Sequence, residues 1–138
     1  MRLILTVFSS FCFINFTLAQ VEYHTIDVGG FGGTTREYYL YVPNEVDLNT
    51  PIIFVLHGYS GSASGIMSYS GLNDLAEEHN FIACYPQGTI DDDGYAFWNV
   101  GYSFHDNVDV DDVEFIRALS VHIIQKYRLT DYNIFSTR

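Results

Sequence analysis

Pro51 to Leu56 reads Pro-Ile-Ile-Phe-Val-Leu, an apolar run with no polar residue at alternate positions. A strand with one solvated face alternates apolar and polar side chains. A strand that is apolar throughout must be covered on both faces, the condition of a parallel sheet flanked by helices. Phe81 to Tyr85 repeats the pattern and is stopped by Pro86 and Gly88. Between the two runs, Ser70 to His79 carries Leu72, Leu75 and Ala76 at i, i+3, i+4 spacing, which predicts an amphipathic helix. Strand, helix, strand in that order points to an α/β protein.

The flanking segments extend the pattern. Arg36 to Pro43 is rich in β-formers and ends at a proline, which predicts a strand with one covered face. Val21 to Val28 is its expected partner, with Gly29 to Gly33 as the turn between them. A long helix is expected from Asp109 as cap, with Val113, Ile116, Leu119, Ile123 and Tyr127 as its apolar stripe. Asp111, Asp112 and Glu114 lie in its first turn, and Lys126 and Arg128 in its last, matching the helix dipole. Tyr132 to Thr137 begins a further strand. The loop from Thr89 to Phe104 is long enough to suggest a functional loop. The expected fold is a mostly parallel, doubly wound sheet with an antiparallel start, within one domain.

Met1 to Ala19 has a cationic start at Arg2, an apolar run from Leu3 to Phe16, and small residues at Thr17 and Ala19. That is the layout of a removable signal peptide, and the run is short for a membrane span. Residues 1–19 are therefore expected to be a signal segment, residues 20–138 the folded domain, and the product secreted. Removing Arg2 leaves five basic residues against 17 acidic ones, a net charge of −12. Nucleic acid and anionic membrane are excluded as partners, because phosphate binding needs clustered Lys and Arg. Cleavage also removes Cys12 and leaves Cys84, in an apolar strand, as a small core residue.

In a doubly wound sheet ligands bind beyond the carboxyl ends of the strands. The loop His57-Gly58-Tyr59-Ser60-Gly61 follows the first buried strand, where Gly58 could turn the backbone sharply and aim N–H groups into a cleft. His57 stands there either as loop support or as a base, and the sequence offers it no acidic partner. His24, His79, His105 and His122 lack zinc-ligand spacing. Asn107, Asp109 and Asp111 imitate the start of a calcium loop, but Asp112 stands where that loop needs Gly and Ala118 where it needs Glu. No metal or cofactor is expected. Phe97, Trp98 and Asn99 could contact substrate by stacking and hydrogen bonding, or could anchor their loop in the core.

Five segments in order carry a resemblance: Arg36 to Pro43, Val55 to Ser62, Asn73 to Gly88, Phe97 to Gly101, and Val110 to Ile116. Together they resemble secreted esterases of the polyhydroxybutyrate depolymerase and feruloyl esterase group. The resemblance implies an α/β-hydrolase fold and a Ser-His-Asp triad that cleaves polyester or acylated-polysaccharide substrates. It implies an oxyanion-hole loop at His57, Gly58 and Tyr59, with the Tyr59 N–H as a donor. In that family the last strand here runs into a G-x-S-x-G elbow, and the acid and His come later. Arg138 takes the first Gly position. The chain is thus expected to be an N-terminal half, incomplete at the nucleophile strand, without its triad and inactive. Ser60 lacks the closing Gly of an elbow and Ser136 lies within a strand, so neither replaces the nucleophile. With its last strand uncovered, the chain is expected to be marginally stable. The alternative is a non-catalytic secreted carbohydrate-binding protein derived from the same fold.

Overall fold

The computed structural model describes residues 20–29, 34–103, 109–131 and 133–138. The expected signal segment, the glycine turn at 30–33, and Phe104, His105, Asn107 and Tyr132 lie outside the described residues. The elements run β1 (Gln20–Val28), β2 (Thr34–Val42), β3 (Ile52–Val55), α1 (Ala63–Ser70), α2 (Leu72–His79), β4 (Ile82–Pro86), β5 (Thr89–Ile90), β6 (Ala96–Phe97), α3 (Asp112–Tyr127) and β7 (Ile134–Thr137).

Side-chain parity explains the unbroken apolar strands. Ile52 and Phe54 of β3, Ile82 and Cys84 of β4, and Tyr38, Leu40 and Val42 of β2 face one core with Phe115, Leu119 and Ile123 of α3. The opposite parity, with Val55, Ala83 and Tyr85, faces Ala63 and Ile66 of α1 and Ala76 of α2. Both faces are covered, so neither can hold a polar residue without a partner. Cys84 is fully buried, and burial pushes its thiol well above the ordinary range.

The main sheet has the order β1-β2-β4-β3-β7. β3 runs parallel to β4 and to β7, while β2 runs antiparallel to both β1 and β4. The sheet is mixed, since the antiparallel portion includes the β2–β4 pairing as well as the opening hairpin. β7 holds an edge position among the described residues, and Phe135 on it is exposed.

The helix expected over Ser70 to His79 is present as α2, and a further helix not read from the sequence, α1, precedes it and ends at Gly71, whose φ of 69° also opens α2. The α3 cap is Asp111 rather than Asp109: its side chain accepts from the Glu114 N–H at 2.8 Å. The apolar stripe of α3 holds at Leu119 and Ile123, with Ile116 and Tyr127 packed against the same core, but fails at its first member. Val113 is 77% exposed, whereas Phe115, Leu119 and Ile123 are buried. The segment 89–104 also holds a short hairpin, β5 with β6, closed by the Asp91 carboxylate accepting from the N–H groups of Asp93 and Tyr95. Two-residue strands leave no periodicity to read.

β1 is fastened to α3 by charge. The Glu22 carboxylate meets Lys126 Nζ at 2.9 Å and His24 Nε2 at 2.6 Å. Burial alone would raise the Glu22 carboxyl, but hydrogen bonds with Lys126, Gln20 and His24 outweigh it and hold it at about 2, below its ordinary 4.5.

Two predictions follow from this packing. Leu119→Ala is expected to cost about 2–5 kcal/mol in urea unfolding, because the site is closed on every side. A carboxyl lowered by folding stabilises above its unfolded pKa, and that stability is lost as pH falls towards the folded value. Acid unfolding should therefore steepen between pH 4.5 and about 2, and Glu22→Gln should flatten that decline; an unchanged profile would contradict it.

Candidate functional site

The carboxyl ends of β3 and β7 leave the sheet side by side. Val55 pairs with Thr137, and the Leu56 N–H donates to the Thr137 carbonyl at 2.9 Å. The loop after β3 and the exit of β7 therefore open on one place, a cleft of about 690 Å3 whose walls include His57, Gly58, Tyr59, Trp98 and Tyr102. That volume is within the range of small-molecule sites.

His57 holds the loop after β3 in place. It is 2% exposed. Its Nε2 accepts from the Gly88 N–H at 2.9 Å, so the proton of the neutral ring sits on Nδ1, which donates to the Gly58 carbonyl at 2.8 Å. Gln87 Nε2 lies 3.2 Å from the same Nε2. With both ring nitrogens committed to backbone groups, His57 joins the exit of β3 to the exit of β4. A base would need one of them open to a substrate. Gly88 is required by this closeness: a Cβ there would stand 2.4 Å from the Phe97 carbonyl and 3.0 Å from the His57 ring.

The sharp turn falls two residues later than Gly58. Gly61 N–H donates to the Gly58 carbonyl at 3.0 Å, and Ser60, not Gly58, carries the left-handed φ of 60°. Ser60 N–H donates to the Ala96 carbonyl at 2.8 Å, which ties the loop to β6. Tyr59 is exposed, and its hydroxyl donates to the Asp91 carboxylate at 2.8 Å, a bond that pushes the phenol to about 12.

The aromatic segment sits across from this loop. Phe97 is 1% exposed. Trp98 is half-buried; its Nε1 donates to the His57 carbonyl at 2.9 Å, and its ring lies 5.1 Å from the imidazole. Asn99 turns away: its Nδ2 donates to the Val110 carbonyl and its backbone N–H to the Asp112 carboxylate. Ser60 is exposed at the turn, and Ser136 is exposed on β7 opposite Phe54.

A buried ion pair supports the whole arrangement and was not anticipated. Arg36 meets the Asp112 carboxylate at 2.7 Å, both side chains under a tenth exposed. The same guanidinium donates to the Gln87 carbonyl at 3.0 Å and lies 4.1 Å from the Phe115 ring centre. The second Asp112 oxygen accepts from the Asn99 N–H at 2.6 Å. Parity carried the missing signal. Arg36 has the same parity as Tyr38, Leu40 and Val42, so it points inward and needs a buried carboxylate.

Among the described residues no cluster of His, Cys, Asp or Glu is arranged to hold a metal ion. Asp111 caps α3 and Asp112 pairs with Arg36. Among the described residues no helix is long and apolar enough to cross a membrane.

Comparison with known proteins points one way. No family profile matches the chain. It is 32% identical over 79 residues to feruloyl esterase B of Thermothelomyces thermophilus, covering 57% of this chain and 27% of that one. It is 41% identical over 58 residues to a probable acetylxylan esterase A of Aspergillus clavatus, covering 42% and 19%. The acetyl xylan esterase structure from Aspergillus awamori superposes with a TM-score of 0.63 at 23% identity, over 83% of this chain and 41% of that one. The chain thus has the fold of these esterases and spans well under half the length of each relative.

Asp112→Ala is expected to cost about 3–5 kcal/mol, because an unpaired guanidinium stays buried. The double replacement of Arg36→Met with Asp112→Leu should cost clearly less than the two single changes added together. Urea unfolding of the three variants checks this; simple additivity would contradict it.

Proposed function

We propose that this chain forms the oxyanion-loop half of a secreted serine-type carboxylic ester hydrolase acting on feruloylated or acetylated polysaccharides, with hydroxyalkanoate polyesters as the second substrate class. The observation that carries the reading is the meeting of the β3 and β7 exits on one cleft. Similarity to a feruloyl esterase and an acetylxylan esterase supports the ester chemistry. Residues 1–19 are read as the export signal and residues 20–138 as the esterase portion.

In this reading the nucleophilic serine stands on a turn after β7, in the part of the relatives' length that these 138 residues do not cover. The serine oxygen attacks the ester carbonyl while a histidine takes its proton. The carbonyl oxygen becomes an oxyanion, met by the Tyr59 backbone N–H and by the N–H after the serine. The alcohol leaves with the proton, and water then releases the acid from the acyl-serine. What these residues contribute is a fixed donor, which has value only if it does not move during reaction. The bonds from His57 to Gly58 and Gly88, and from Ser60 to Ala96, supply that rigidity. Trp98 and Tyr102 form an apolar wall suited to an acyl group, with the buried Phe97 beside them and the Asn99 backbone N–H holding their loop to Asp112 of α3. No cofactor, metal, nucleic acid or membrane enters the reaction.

The 138-residue chain is expected to give no turnover of 4-nitrophenyl acetate above background. A protein in which this chain is followed by a G-x-S-x-G elbow is expected to hydrolyse methyl ferulate or acetylated xylan. Replacing that serine with Ala should lower kcat by at least about a thousandfold. Multiple turnovers by the short chain, abolished by replacing Ser60 or Ser136, would overturn the reading.

A further inference from the structure

The loop after β3 has a second side. Tyr59 faces the apolar cleft, whereas Ser60, Gly61 and Ser62 line a separate cleft of about 550 Å3 between the start of β2, the turn after β4 and the β5–β6 hairpin. β6 divides the two by parity: Phe97 borders the apolar cleft and Ala96 the other. The chemistry of the second cleft differs from that of the first. Its walls include Thr34, Ser60 and Tyr95, each with a hydroxyl, whereas the Thr89 hydroxyl is buried and the Gln87 amide is committed to the Ala63 N–H, His57 and the Gly88 carbonyl. Its charge is unsuited to an anion. Arg36 is its cation, already committed to Asp112 and the Gln87 carbonyl, while Glu37 adds a carboxylate and the chain as a whole carries −11.

The exposed ring of Tyr95 belongs to this cleft, with its centre 5.7 Å from that of Tyr59, which borders the apolar one. Tyr95 is held by its backbone, since its N–H donates to the Asp91 carboxylate at 2.8 Å and its carbonyl accepts from the Asp91 N–H. A ring fixed by its backbone can stack on an apolar face at little entropic cost. Neutral hydroxyls beside an exposed ring match a ligand with many hydroxyls and apolar ring faces.

We propose that this second cleft is a glycan subsite that binds the neutral sugar backbone of the substrate, while the ester it bears reaches over the Tyr59–Ser60 turn into the apolar cleft. The carbohydrate class rests on the ester-hydrolase reading above; the preference for a neutral over an acidic glycan rests on the cleft's own charges. A single loop then contacts both halves of the substrate, its Tyr59 side the acyl group and its Ser60 to Ser62 side the sugar.

The test is binding of ester-free xylohexaose to the secreted protein at its natural length, by calorimetry, with an oligogalacturonide of equal length as the acidic arm. Xylohexaose is expected to bind, and the oligogalacturonide at least tenfold more weakly. Tyr95→Ala should weaken xylohexaose at least tenfold, and Thr34→Val, which removes one hydroxyl at similar volume, several-fold. Thermal unfolding confirms that each variant is folded, and the Thr34→Val arm stands if Tyr95→Ala is not. No xylohexaose binding, equal binding of the acidic oligomer, or unchanged binding in folded variants overturns the subsite. Because the ligand carries no ester, the result is independent of turnover. Binding without hydrolysis of any ester would sink the esterase reading and leave the subsite standing; hydrolysis of methyl ferulate without binding would do the reverse.

Discussion

Arg36 and Asp112 lie 2.7 Å apart in the interior, and four separate segments are arranged around them. β2 contributes the guanidinium, α3 the carboxylate, the turn after β4 the Gln87 carbonyl, and the aromatic loop the Asn99 N–H. Taking two charges out of water costs several kcal/mol for each, which only close pairing and full hydrogen bonding offset. The pair therefore acts as a constraint on geometry more than as a source of stability. Any movement of α3 against the sheet, or of the aromatic loop against α3, would leave a charge buried without its partner.

From that constraint the site follows by short steps. Arg36 fixes Gln87; the adjoining Gly88 N–H fixes His57; His57 fixes Gly58 through its other ring nitrogen. Trp98 closes the circuit by donating to the His57 carbonyl. A loop positioned in this way is rigid although it has no regular structure. Rigidity is what separates a preorganised dipole from one that must reorient when charge develops. The same loop also separates an apolar cleft from a hydroxyl-lined one, so its two sides present different chemistry over a few residues.

Strand and helix were largely readable because their signals are local. Ile52 to Val55 and Ile82 to Tyr85 are apolar at every position because two cores, one on each face, exclude polar groups. Where signals were weak the reading slipped. Val113 has the right spacing for the α3 stripe, yet the helix turns Phe115 inward, since Asp112 must reach Arg36. α1 was not read, since its eight residues bury only Ala63 and Ile66, too few to mark an apolar stripe. The site divides in the same way. The position of the His57-Gly58-Tyr59 loop at a strand end was legible. The commitment of His57 Nε2 was not, because its partners, Gln87 and Gly88, come from about 30 positions away.

What the sequence determined by itself was the class of fold and the loop to examine, since apolar runs, helical spacing and a glycine after a buried strand depend only on neighbours along the chain. What tertiary structure alone decided was the pairing of Arg36 with Asp112, the locking of His57, the division into two clefts and the order of strands. Each of these joins residues far apart in the chain, and a contact of that kind leaves no local pattern. Its only trace is an inward-facing charge at Arg36, whose partner becomes known once the chain has closed around it.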